Sequence, residues 1–393
     1  MRSRLWSVLG VGALSFGLVL SPATAAMADS ARDAQWSLKF LQASAAQQIT
    51  QGEGVTVAVL DTGVDPGQVD LAGSVLPGFD DWTSARDGHT DRDGHGTRVS
   101  ALIAGHGHGT DGTAGILGIA PKAKILPYAI FAPDDPERRF ATAKLAVGIR
   151  WAVDHGAQVI CIANAGGGSS DLELAIQYAL VKGVSVVAGA NNLPAVDPGF
   201  PATYSGVISL SSVDERGEFA AAVSTTGSAI RLSAPGVNIM APKRGGGYER
   251  VSGNSAATAL AAGVVALVRA KFPSLTPAQV LQRLQATAVD RGSKGWDRQY
   301  GYGTIDPVAA LTKEDVGASA SAPRSAAPTA AQTQPVAEGD DRDYSTGQLV
   351  AAVAMVAVCV LVVVGIVVAV VLVVRRRRRT AVSPGGPPGP WQP

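Results

Sequence analysis

The chain has 393 residues, 46% of them hydrophobic and 17% charged, which is ample material for one large core and a count of one or two domains. Its formal net charge of +1 hides a segregation: Arg2, Arg4 and Arg375 to Arg379 lie at the ends, while residues 29 to 346 carry 26 basic against 32 acidic residues. That mildly acidic body lacks the basic face needed to displace counterions from phosphates, which excludes nucleic acid as the expected partner.

The chain opens on basic MRSR, runs through an apolar stretch from Leu5 to Leu20 and reaches small residues in ATAAMADS. This is the pattern of a secretory signal peptide over 1–28, cleaved after Ala28. Within 29–312, short apolar runs alternate with helical patterns. VTVAVL (55–60), AKILPYAIF (123–131), QVICIANA (158–165), VSVVAGA (184–190), GVISLSSV (206–213) and IRLSAPG (230–236) read as buried strands. RRFATAKLAVGIRWAVDHG (138–156) and SSDLELAIQYALVKG (169–183) read as helices ended by glycine. Strand and helix in alternation, with near-continuous apolar strands, predict an α/β fold: a parallel sheet with helices on both faces. Chemistry in such folds belongs at the carboxyl ends of the strands.

Residues 313–346 are rich in Ala, Ser, Pro and Thr without apolar periodicity, the composition of a disordered stalk. From Leu349 to Val374 the chain has 26 residues without a charge, more than the ~20 that span a hydrocarbon core, so a C-terminal transmembrane helix is expected. Arg375 to Arg379 follow at once and, by the positive-inside rule, place the tail 375–393 in the cytoplasm and residues from about 29 to 346 outside. The expected location is thus the cell membrane, crossed once, with lipid contacting one helix. Cys359 lies in that span and Cys161 in the apolar run VICIA, so no disulfide joins them.

Three residues stand where strands or turns expose chemistry. Asp61 follows VTVAVL in LDTGVD. A D-T-G triplet also occurs in aspartic proteases, but that mechanism needs two carboxylates sharing a proton, and no second copy exists here. His95 sits between Gly94 and Gly96 in DRDGHGTRVSALIAG, ahead of a helical pattern starting at Thr97. Flanking glycines leave an imidazole approachable for proton transfer. Ser255 stands between a Gly-Asn turn and an alanine-rich helix in VSGNSAATALAAGVVALV, so its hydroxyl is at once an N-cap candidate and a nucleophile candidate at a helix N-terminus.

In order along the chain, VAVLDTGVD, GHGTRVSALIAG and GNSAATALAAG resemble the motifs of subtilisin-like serine proteases, and GILGIAPKAKILPYAIF (115–131) is similar to the segment that follows the histidine helix there. The resemblance covers about 50 to 312. It implies that Asp61 orients His95, which takes the proton of Ser255 during attack on a peptide carbonyl. It also implies an oxyanion asparagine within VVAGANN, either Asn191 or Asn192, with ungapped matching favouring Asn192. The substrate-binding segment corresponds to Ala163, Asn164, Ala165 and Gly166, expected to pair with a peptide through backbone groups. Signal peptide, protease domain, stalk, single span and arginines together resemble the mycosins, which implies polypeptide substrates and association with a type VII secretion membrane complex.

The chain departs from the family pattern at Asn254, where threonine is usual, at Ala259, where proline is usual, and at Asn191, where glycine is usual. These departures carry a second reading, a catalytically weak or inactive scaffold of the secretion complex. No cofactor and no metal are called for. His106 and His108 in GHGHGTDG (105–112), with His89, lack a further ligand at a recognised spacing, and acidic DDWTSARDGHTDRD (80–93) lacks the alternation of a calcium loop. That acidic stretch reads instead as a solvated loop bordering the cleft.

Overall fold

Aliphatic runs with few turn-formers become the central strands, because such segments bury side chains on both sheet faces at once. The computed structural model describes residues 30–83, 87–130, 141–192, 198–314 and 316. The chain divides into two units after Pro323, and the described residues all lie in the first. The strands are β1 (Thr56–Asp61), β2 (Phe79–Asp80), β3 (His106–His108), β4 (Ala114–Leu117), β5 (Lys124–Ala129), β6 (Val159–Ile162), β7 (Ser185–Gly189), β8 (Ile208–Val213), β9 (Leu232–Pro235), β10 (Ile239–Pro242) and β11 (Tyr248–Val251).

Seven of them form one sheet in the order β2-β5-β1-β6-β7-β8-β9. Every pairing in that sheet is parallel, with Val57 opposite Val159 and Ile125, and Val159 opposite Ser185. Two antiparallel ribbons, β3-β4 and β10-β11, lie outside it. The fold is therefore α/β with a parallel main sheet, and the six strands expected from sequence are β1, β5, β6, β7, β8 and β9.

Successive residues of a strand face opposite ways, and the core divides accordingly. Val57, Val59, Val159 and Cys161 join one apolar cluster with the helices His95–Ala104 and Asn254–Lys271. Ala58, Leu60, Ile160 and Ile162 join the other with the helices Ala141–Asp154 and Ser170–Val181. The helix Ser170–Val181 starts where expected because Ser169 accepts a bond from the Leu172 N–H, with Asp171 and Glu173 in its first turn. Residues Ala256 to Val268 are all buried, which explains their small size: a Cβ added at Gly263 would meet the Ile119 Cβ at 2.7 Å. Enlarging such a position forces neighbours off their rotamers at a cost of about 1–3 kcal/mol.

Ahead of β1 the chain forms the short helices Trp36–Phe40 and Ala43–Gln47. They are strapped to the domain rather than packed by periodicity alone. The Gln35 amide both donates to and accepts from the backbone of Leu117, at 2.9 Å each, and Arg32 donates to the carbonyls of Gly112, Ala114 and Gly115.

The expected signal peptide (1–28), membrane span (349–374) and tail (375–393) lie outside the described residues, as does the stalk (313–346) apart from Lys313, Glu314 and Val316. Among the described residues, no helix is long and apolar enough to cross a membrane.

Candidate active site

Because β1, β6 and β7 run parallel, the residues that follow them gather at one edge of the sheet. Asp61 ends β1 with its side chain buried and accepts three bonds there. The His95 Nδ1–H donates to Oδ1 at 2.7 Å, the Thr62 N–H donates to the same oxygen at 2.8 Å, and the Asn164 amide donates to Oδ2 at 3.0 Å. An ionised carboxylate only accepts, so the bond to Oδ1 places the ring proton on Nδ1 and leaves the His95 Nε2 lone pair free to take another. Burial pulls the His95 imidazolium down, yet the charge of Asp61 and its hydrogen bond, with Asp93 adding and Arg98 opposing, raise it above its ordinary value of 6.5.

The helix carrying His95 starts two residues earlier than the sequence pattern indicated, at the histidine itself rather than at Thr97. Asp91 is the cause. Its carboxylate accepts from the Gly94 N–H at 2.7 Å, the Thr97 N–H at 2.8 Å and the Thr97 hydroxyl at 2.6 Å, capping the helix from outside. It also accepts from the Thr62 hydroxyl at 2.8 Å, which in turn accepts from the Gly96 N–H at 2.9 Å, so the first turn is tied to the residue after Asp61. Asp91 was expected only in a solvated loop. The legible signal was an acidic residue shortly before a helix, a common capping arrangement.

Glycine is required on both sides of the imidazole. Gly94 has φ 91°, a left-handed backbone, and a Cβ at Gly96 would lie 2.1 Å from the Gly63 carbonyl oxygen and 3.3 Å from the Asp61 Cβ. The histidine turn is pressed directly onto the end of β1.

Ser255 is the second residue of the helix Asn254–Lys271, half-buried, and that helix packs along the histidine helix. Its approach is fixed by Asn254, whose buried amide replaces the family's threonine with three bonds. Asn254 Oδ1 accepts from the Ser212 hydroxyl at 2.6 Å, and Nδ2 donates to the carbonyls of Ala190 at 3.1 Å and Asn191 at 3.3 Å. The departure at 254 thus ties the serine helix to the segment leaving β7.

The two candidate asparagines separate cleanly. Asn191 donates its N–H to the Pro198 carbonyl at 3.0 Å, and its side chain lies against Gly199. Asn192 Oδ1 instead accepts from the Asn254 N–H at 2.7 Å, which turns its Nδ2 donors the other way. An added Cβ on Gly253 would be 3.4 Å from Asn192 Nδ2 and 3.5 Å from Ser255 Oγ, so amide and hydroxyl border the same glycine.

In the segment after β6, Ala163 is buried and Asn164 turns its side chain onto Asp61. Gly166 pairs by backbone with Phe200 in both directions, at 2.8 and 3.0 Å. Gly166 is thereby occupied by Phe200 within the protein. His106 meets the Ala72 carbonyl at 2.9 Å, His89 meets the Leu76 carbonyl at 3.1 Å, and His108 pairs with Asp70 at 2.7 Å. Among the described residues no group of three or more His, Cys, Asp or Glu is placed to hold a metal ion.

The model of the subtilase family of S8 peptidases matches residues 52–303. Mycosin-1 of Mycobacterium tuberculosis is 34% identical over 382 residues, covering 83% of this chain and 82% of its own. A thermostable alkaline protease of Halalkalibacterium halodurans is 35% identical over 272 residues, covering 69% of this chain and 71% of its own. Among solved structures, the MycP3 protease from the type VII (ESX-3) secretion system superposes with a TM-score of 0.62 at 32% identity, covering 71% of this chain and 88% of that one.

Proposed function

We propose that this chain, which belongs to the subtilase family and is a subtilisin-like serine endopeptidase, cleaves exported polypeptides with Ser255 as nucleophile while anchored to the cell membrane. One observation carries the reading: the half-buried His95 is held 2.7 Å from the buried Asp61 at the carboxyl end of β1, while the Asn192 amide and the Ser255 hydroxyl border the same glycine, Gly253, at the start of the serine helix.

Ser255 Oγ attacks the scissile carbonyl carbon while His95 Nε2 takes the hydroxyl proton, and the imidazolium then gives that proton to the departing amine. Asp61 holds the ring so that Nε2 faces the serine, and it stabilises the positive charge that forms. The oxygen that becomes negative is met by Asn192 Nδ2 and by the unpaired N–H groups at the start of the serine helix. Water then attacks the acyl-serine by the same proton path. The main chain of Ala163 to Ala165 holds the peptide as an added strand.

The apolar run Leu349–Val374 supplies the anchor, with the domain outside and the arginine-rich tail inside. The resemblance to mycosins supports work beside a type VII secretion membrane complex. Mass spectrometry of exported proteins from cells carrying wild type or Ser255→Ala tests the whole reading. Protein termini present only with the Ser255 hydroxyl are expected; identical termini in both strains contradict it.

A further inference from the structure

Asn164 stands in the segment expected to hold substrate, yet its side chain does something else. Asp61 offers two oxygens. Oδ1 is shared by the Thr62 N–H and His95 Nδ1–H, whereas Oδ2 receives the Asn164 amide at 3.0 Å, with no other described donor to that oxygen. A carboxylate held through one oxygen only is free to swing about its Cβ–Cγ bond; a donor on the second oxygen stops that rotation. The orientation of the Asn164 amide is fixed by the same contact, since its own oxygen facing a carboxylate would be repelled.

We infer that Asn164 is a positioning residue for the proton-accepting pair: its amide pins the Asp61 carboxylate, and through it the imidazole of His95, while its main chain belongs to the run that receives the peptide. The inference rests on the hydrolytic reading above. The neighbouring strands make the arrangement possible. β6 is hydrogen-bonded to β1 with Cys161 opposite Val59, so the chain leaving β6 passes beside the end of β1. A peptide lying on Ala163 to Ala165 then covers the contact and keeps water from competing for Oδ2.

The amide also tempers the charge that His95 feels. A neutral donor on Oδ2 spreads the carboxylate's charge away from the ring, so losing it lets Asp61 hold the imidazolium more firmly. The other charged or titratable groups facing the pair are Asp93 and Arg98 from the histidine segment, Asp91 behind it, Arg244 of the β10-β11 ribbon packed on Gly94, and the buried Cys161 thiol on β6. None of them donates to Oδ2.

The test uses the full-length protein and the saturation kinetics of inactivation by an aryl fluorophosphonate across pH, for wild type, Asn164→Leu and Asn164→Asp. Leucine keeps the volume without the donor; aspartate keeps the shape and adds a second acid. In Asn164→Leu the maximal inactivation rate is expected to fall about tenfold with the inhibitor's half-saturation constant within twofold, and the acid limb to move up by roughly half a unit. Asn164→Asp is expected to move the acid limb further up, because a second carboxylate favours the protonated ring. An unmoved or lowered acid limb in both variants overturns the inference, as does an effect confined to half-saturation, which marks a substrate contact, or a lowered melting temperature with unchanged kinetics. A wild type that does not react removes the hydrolytic reading and the inference together; a wild type that reacts with unaffected variants removes the inference alone.

Discussion

Among the described residues, two histidine–aspartate pairs have the same bond length. His95 Nδ1 meets Asp61 and His108 Nδ1 meets Asp70, both at 2.7 Å, with histidine side chains 23% and 32% exposed and aspartates 1% and 0% exposed. What differs is the company. Asp70 also accepts from the Ile116 N–H, the Tyr248 hydroxyl and the Gln68 amide, holding the β3-β4 ribbon and the β10-β11 ribbon to a loop, and Arg32 of the N-terminal strap lies alongside. Asp61 lies at the carboxyl edge of the main sheet, and the far nitrogen of its histidine makes no hydrogen bond among the described residues. A histidine–aspartate dyad is therefore not a site in itself. The same pair clamps loops in one place and, in the function proposed above, moves a proton in the other.

The sharpest way to break that contrast is to remove each imidazole in turn. His95→Ala is expected to lower turnover by about a millionfold, as loss of a base acting in concert with its nucleophile does, while His108→Ala leaves the rate constant of the folded protein within twofold. Peptide hydrolysis by the two purified variants checks both. Next in size, Asn192→Ala is expected to cost about a hundred- to a thousandfold in kcat with little change in KM, the signature of a donor used only as charge develops on the oxygen. Asn191→Ala, whose side chain faces Gly199, should not reproduce that split.

A smaller effect follows from the electrostatics of the active pair. Because His95 titrates above 6.5 and works only when neutral, kcat/KM is expected to rise tenfold per pH unit on its acid limb and to level off above that value. The sign for stability is the reverse. The pairing of charged His95 with Asp61 stabilises the fold fully below about 6.5 and loses that contribution as pH rises through the raised value. A pH–rate profile with its midpoint at or below 6.5 would contradict the assignment.

The smallest changes fall on the scaffold. Asp91→Ala removes the cap of the histidine helix and is expected to destabilise the protein by about 2 kcal/mol, read by urea unfolding. His108→Ala leaves a buried carboxylate short of one donor and is expected to cost about 1–3 kcal/mol in the same assay.

Much of this was legible before any coordinates. The long apolar runs fixed the identity of the six central strands, since only a sheet covered on both faces accepts such sequences. Asp61 and His95 were legible as an acid after a strand and a histidine between glycines, which the structure joins at 2.7 Å, and Ser255 as the serine heading an alanine-rich helix. Less legible were residues whose role depends on where a side chain turns. Asn191 and Asn192 are chemically identical; ungapped matching leaned to Asn192, and the Pro198 and Asn254 contacts show how differently the two are held. Asp91 looked like one acid among several until its five hydrogen bonds appeared. Asn254 read as a defect in a motif, whereas its buried amide joins the serine helix to Ser212, Ala190 and Asn191. Such roles belong to long-range contacts, which spacing along the chain does not encode.

The most direct measurement is covalent labelling of the full-length protein with a fluorophosphonate, followed by peptide mapping of the modified residue. The label is expected on Ser255 in wild type and in His108→Ala, and is expected to be absent from Ser255→Ala and His95→Ala. Equal labelling of Ser255→Ala and wild type, or labelling that survives loss of His95 but not of His108, would show that the hydrolytic centre lies somewhere else.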